Sequence, residues 1–236
     1  LIREHPGERL LPWSTGVERP QDRRAGPKNW RAIVIGLFRA IVLPMSLLLI
    51  FIEACNRITS GVLISLAPIV TVQDLGWTQL AYANWIALTG VTAAVLGVLC
   101  SPWIDRIGAL RVLKWIVMFR VVMFALTAAL EPYWGIHQVF EAFLMINAVA
   151  TQLVTVTLIA LFMRLCSQRV AASQFAVYMA LANMTYSLGS GLMVPLSHWT
   201  HPAGIMLFCA ILIALMWLLI HWVNFERHDL DLSRLD

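Results

Sequence analysis

PMSLLLIFIEACNRITSGVLISLAPIV, residues 44–70, decides the fold of this chain. A helix crossing the hydrocarbon core of a bilayer needs about 20 predominantly apolar residues, and this stretch exceeds that with only two ionisable side chains inside, Glu53 and Arg57. Five further apolar stretches follow, near 78–103, 110–130, 136–163, 172–197 and 202–223, with short polar connections between them. The chain is 60% hydrophobic and 13% charged, whereas soluble domains carry about 25% charge. The sequence therefore predicts an all-α membrane protein with six transmembrane helices.

Charge in the connections orients it. TVQDLGWTQ (71–79), EPYWGIHQ (131–138) and SHWTHP (197–202) hold no Lys or Arg, whereas Arg106, Arg111 and Lys114, then Arg164 and Arg169, occupy the alternate ones. Seven basic residues precede or include Arg31, and Arg227 and Arg234 lie in the last twelve residues. The positive-inside rule then places both termini in the cytoplasm. Trp77, Tyr133, Trp134, Trp199 and Trp222 fall where interfacial aromatic anchors belong. The organisation expected is a polar cytoplasmic linker over 1–29, an interfacial helix over 30–42, a six-helix bundle over 43–225 and a cytoplasmic tail over 226–236. Pro44 separates the short helix from the first span. The polar opening holds no signal peptide, and a chain starting at Leu1 with linker-like residues leads us to expect more sequence upstream.

The net charge of +4 sits at helix ends, where topology and anionic lipid explain it, so no nucleic-acid partner is expected. Cys55, Cys100, Cys166 and Cys209 lie in or at the ends of apolar stretches without a CxxC, and read as packing residues rather than a disulfide framework or metal site. Gly189-Ser190-Gly191 lacks the glycines two residues either side of the serine that a nucleophile elbow needs; Leu188 and Leu192 stand there. With Pro195 it reads as a close helix contact or a kink. His198 and His201 share a short turn and read as surface residues. There is no HExxH, phosphate loop or dinucleotide motif. No enzyme chemistry, cofactor or metal is expected.

Polar residues inside a span are costly, and they generally face the bundle interior or a functional path. Glu53 and Arg57, four apart, share one face of the first helix and can pair, with Asn56 beside them. Asn147, Thr151 and Thr155 form a stripe on the fourth span with Gln152 alongside, and Gln174 and Tyr178 share a face of the fifth. For each of these groups interhelical hydrogen bonding competes with a role in substrate or proton handling. Arg120, midway through the third span, has no partner legible in the sequence.

DRIGALR (105–111), between the second and third spans, resembles the loop that the major facilitator superfamily places between the second and third helices of each six-helix half. RLCSQRVAASQFAVYMAL (164–181) is similar to the entry to the eleventh helix of AmpG-like permeases, the muropeptide-permease and acetyl-CoA-transporter branch. REHPGERLLPWSTG (3–16), then NW (29–30) and LPMSLLL (43–49), look like the linker between halves in that branch. The resemblance implies one C-terminal half of such a transporter, built as two inverted three-helix repeats in a bacterial inner membrane. It implies proton-coupled alternating access for a small solute, muropeptide-like in that branch. Substrate and proton would be handled by Glu53, Asn56, Arg57, Asn147, Thr151, Gln152, Gln174 and Tyr178, and a cytoplasmic gate formed by Asp105, Arg106, Gly108 and Arg111. Partners would be the lipid bilayer, the solute and a second six-helix half in the same or another polypeptide. The competing expectation is a non-transporting, transporter-like subunit that serves as scaffold or assembly factor in a larger complex.

Overall fold

The computed structural model describes residues 30–166, 171–223 and 225. The expected linker 1–29 and tail 226–236 lie outside the described residues, as does Arg169. All regular structure among the described residues is helical: α1 (Trp30–Val42), α2 (Pro44–Pro68), α3 (Gln79–Ile107), α4 (Ala109–Ala129), α5 (His137–Leu165), α6 (Ala171–Trp199) and α7 (Pro202–Ile220). A π-helical turn, Ile69–Asp74, extends α2, and a 3₁₀ turn, Glu131–Tyr133, links α4 to α5. In a bilayer a spanning backbone must find its hydrogen bonds within the protein, and a helix supplies all of them inside one segment, which is why apolar runs of this length become helices.

Among the described residues, five helical segments are long and apolar enough to cross a membrane: Pro44–Asp74, Gln79–Ile107, Ala109–Ala129, His137–Leu165 and Pro202–Ile220. The sequence reading expects six. The segment that falls short is α6, which at 29 residues is as long as α3 and α5. It misses on apolarity rather than length, since Gln174, Asn183, Thr185, Tyr186, Ser187 and Ser190 dilute it.

Helix ends follow local chemistry. Leu43 is extended (φ −54°, ψ 138°) and Pro44 opens α2, where a missing N–H costs nothing. Residues 71–74, expected as connecting turn, instead continue α2 with wider bonding: Leu75 N–H donates to Val70 O at 2.9 Å, five residues back. Pro102 does not end α3 at the expected 103, and the helix runs to Ile107. There Gly108 takes φ 96°, a conformation that disfavours a side chain, and ends it. The expected loop 105–111 is thus a one-residue break, with Asp105 and Arg106 on the last turn of α3 and Arg111 on the first turn of α4.

The main packing pairs are α2 with α6, α3 with α5, α4 with α7, α4 with α5, and α2 with α7. Exchanging the triplet α2-α3-α4 for α5-α6-α7 maps this set onto itself: α2–α6 becomes α5–α3, α4–α5 becomes α7–α2, and α4–α7 returns to itself. The core lies among α2, α4, α5 and α7, with Leu49, Ile52, Leu66, Phe124, Phe140 and Ile213 fully enclosed. Phe124 meets Phe143 edge-on at 5.3 Å, a favoured aromatic geometry.

Connections alternate between the two ends of the bundle. At one end Trp77, after α2, lies parallel to His137 at the start of α5 with ring centroids 5.8 Å apart. There also His201 Nε2, before α7, lies 3.3 Å from Glu131 Oε2, after α4. At the other end residues of the α3–α4 break, the end of α5 and Phe225 beyond α7 surround one cavity.

The α2–α6 crossing depends on two glycines. A Cβ on Gly61 would run into the Tyr186 carbonyl and lie 2.7 Å from Ser190 N; one on Gly189 would run into the Ile58 carbonyl and lie 2.7 Å from Ile58 Cα. Backbone touches backbone here, as small residues permit in membranes, and Ser65 and Ser190 hydroxyls bond across it at 2.7 Å. Gly191, two residues on, faces open space. Gly189→Val is therefore expected to cost about 1–3 kcal/mol or more through overpacking, read as a lower thermal midpoint in detergent. Gly191→Ala should leave the midpoint unchanged; equal losses from both would show that the helices do not cross at Gly189.

Candidate functional site

The polar residues of α2 form a chain of charged contacts. Arg57 Nε donates to Glu53 Oε1 at 2.6 Å, one helical turn apart, and Asn56 Nδ2 donates to the other carboxylate oxygen at 3.3 Å. Asn56 Oδ1 in turn accepts from Arg120 Nη1 on α4 at 2.8 Å. One carboxylate thus stands within a group holding two guanidiniums. Glu53, Asn56 and Arg120 are buried, Arg120 completely, while the Arg57 side chain keeps 23% of its surface exposed. Among the described residues Arg120 Nε and Nη2 have no hydrogen-bond acceptor, and its guanidinium carbon lies 5.7 Å from the centroid of Phe124. The sequence offered Arg120 no partner because its partner, Asn56, is 64 residues away on another helix.

Arg57 is exposed toward a cavity of about 420 Å³ between α2, α3, α5 and α6. Asn147, Thr151, Gln152 and Thr155 line it from α5, Tyr82 from α3 and Tyr186 from α6. Gln152 packs against Gly97, where a Cβ would lie 2.9 Å from Gln152 Cγ, so this glycine lets the amide side chain sit between α3 and α5. Thr151 Oγ1 reaches Asn147 Oδ1 only at 3.5 Å, too long to hold either group tightly. The cavity presents one guanidinium, amides, hydroxyls and two phenols, and no carboxylate is among the described residues that line it. Such a lining suits a polar solute bearing a negative charge.

The expected site residues therefore divide. Arg57, Asn147, Thr151 and Gln152 share the cavity; Glu53 and Asn56 stand behind it and hold Arg57 and Arg120. Gln174 and Tyr178 do not line it. Gln174 Nε2 donates to the Tyr178 oxygen at 2.6 Å, and the Tyr178 hydroxyl donates to Ser46 Oγ at 3.1 Å, a buried tie between α6 and the first turn of α2. Tyr82 and Tyr186 were missed in the sequence because a lone tyrosine in an apolar helix carries no signal of the face it occupies. Asp105, Arg106 and Arg111 are exposed, and among the described residues the ion pairs are Arg57–Glu53 and the His201–Glu131 contact, so none joins the expected gate residues. The carboxylate beside His201 was also not legible, since Glu131 comes from a different connection. No group of three His, Cys, Asp or Glu residues converges among the described residues in a way that would hold a metal.

Breaking a buried ion pair by removing one partner costs about 3–5 kcal/mol, because the other charge is left uncompensated. Glu53→Gln leaves two guanidiniums without a counter-charge and should destabilise by that order in detergent-unfolding measurements. Adding Arg120→Met should recover part of the loss. A double variant no more stable than the single one would mean that Glu53 does not compensate Arg120.

No protein-family model matches this chain, and neither a curated protein nor a solved structure is similar to it at a significant level.

Proposed function

We propose that this chain is a six-helix half of a membrane secondary transporter in which α2 to α7 all span the bilayer, with substrate meeting it at the Arg57 cavity. The observation that carries the reading is that cavity: a partly exposed arginine, backed by a buried carboxylate and ringed by uncharged polar groups from three other helices. Membrane-depth cavities of this make-up are where transporters bind solute, at the junction of helical repeats. The exchange symmetry of the packing pairs supports construction from two inverted three-helix repeats, as the resemblance to major facilitator transporters implies.

α6 supports the need for a second body. Asn183 and Ser187, one turn apart on one face, are exposed on it, as is Met184. The Ser187 hydroxyl bonds back to the Asn183 carbonyl at 3.2 Å, but the exposed Asn183 amide is unfavourable against lipid, so a second six-helix half belongs over this face. Arg57 takes a carboxylate or phosphate of the solute, Asn147 and Gln152 orient it, and Glu53 is the proton-carrying group, exchanging its hold on Arg57 for a proton. Rocking of the two halves about this site then gives alternating access. The connections bearing Lys and Arg lie in the cytoplasm, and the membrane is a bacterial inner membrane. The same exposed face of α6 supports the alternative of a non-transporting subunit covered by another membrane protein.

The test uses the protein purified with whatever covers α6, in proteoliposomes containing a pH-sensitive dye, challenged with a panel of carboxylate- and phosphate-bearing solutes including muropeptides. Solute-dependent proton movement is expected, and Arg57→Lys should lower it at least tenfold, since a single ammonium cannot replace a bidentate fork. Gln152→Ala should raise the half-saturating solute concentration with little change in thermal stability. Fixed-stoichiometry co-purification with another membrane protein, with no flux for any solute in the panel, would favour the scaffold reading instead.

A further inference from the structure

Away from the Arg57 cavity, a second cavity of about 460 Å³ lies at the end of the bundle where the α3–α4 break, the last turn of α5 and Phe225 converge. Arg111 and Lys114, one turn apart on α4, line it together with Arg164 from α5. The Arg164 guanidinium carbon lies 4.4 Å from the Phe225 ring centroid. Phe225 is itself buried against the core, so the ring is a fixed platform that steadies one cation at the cavity wall. Ile107, Leu110 and Leu161 supply apolar wall, and no carboxylate is among the described residues that line it.

Three like charges around one cavity repel each other unless an anion enters. A topology signal requires cations at this end of the bundle, but it does not require them to converge. Arg106, in the same connection, is exposed and stays outside the cavity. Two guanidiniums and an ammonium match the oxygens of a phosphate, which takes forked donors from arginine and a point charge from lysine. Basic pockets between spanning helices, at the level where the bilayer's charged headgroups lie, are suited to anionic lipid.

We propose that this cavity is a binding site for a phosphate-bearing anion, held between Arg111, Lys114 and Arg164. The same chemistry is offered by the headgroup of an anionic phospholipid and by a soluble phosphate compound, and the experiment separates them. The protein is placed in nanodiscs of phosphatidylcholine alone or of phosphatidylcholine with phosphatidylglycerol, and retained lipid is counted by native mass spectrometry after release. In parallel, inorganic pyrophosphate is titrated against thermal stability in phosphatidylcholine alone.

Selective retention of phosphatidylglycerol, reduced roughly fivefold for each cation removed in Arg111→Gln and Arg164→Gln and unchanged in Arg106→Gln, establishes a lipid-headgroup site. Stabilisation by pyrophosphate with the same variant pattern, without lipid selectivity, establishes a site for soluble phosphate. Phe225→Leu, which keeps the apolar contact and removes the ring, should weaken binding in either arm. Arg111→Lys keeps the charge at an exposed position and guards against loss of fold. The proposal fails if neither probe binds selectively, or if Arg106→Gln reduces binding as much as Arg111→Gln does, since surface charge alone would then account for it.

Discussion

An ionised group inside a bilayer-spanning helix has to find its counter-charge and hydrogen bonds within the protein, because lipid offers neither. Here Glu53 serves that need for Arg57 directly and for Arg120 through Asn56. The consequence reaches beyond α2. The Arg120–Asn56 contact joins α4 to α2, and both helices also pack on α7. A set of residues that looks like a local decoration of one helix is therefore part of what sets the arrangement of the core helices.

The side of α2 that meets α6 obeys a different constraint. Gly61 and Gly189 bring the backbones of α2 and α6 into contact, and the Ser65–Ser190 and Tyr178–Ser46 hydrogen bonds lie along the same interface. Hydrophobic burial gives little preference for one helix over another in lipid, so close fit and hydrogen bonding decide who pairs with whom. The polarity of α6, which keeps it outside the set of helices apolar enough to span unaided, is largely accounted for by these contacts and by the cavity it shares with α2, α3 and α5. Asn183 and Ser187 are not used in these contacts and remain exposed on α6.

The candidate site was partly legible. Glu53 and Arg57 announce their pairing by spacing, and the structure joins them at 2.6 Å. The Asn147–Thr151–Thr155 stripe was readable as one helix face, and that face lines the cavity. Gln174 and Tyr178 were readable as neighbours but not as a tie to Ser46, 132 residues from Tyr178. Tyr82, Tyr186 and Arg120 could be placed only once α3, α6 and α4 had found their partners. Each depends on a contact between helices far apart in the chain.

From the sequence alone came the helical class, the bilayer as solvent, the approximate spans and the alternation of charged connections. All follow from length and composition, because hydrocarbon admits few structures and penalises charge strongly. What only the tertiary structure decided was the packing order, the path of α3 through Pro102 to Gly108, the partner of Arg120 and the two cavities at different places in the bundle. Helices that are apolar on all sides carry no stripe to say which face is inside. Small-residue contacts and hydrogen bonds across the sequence make that choice, and they exist only when the helices are together.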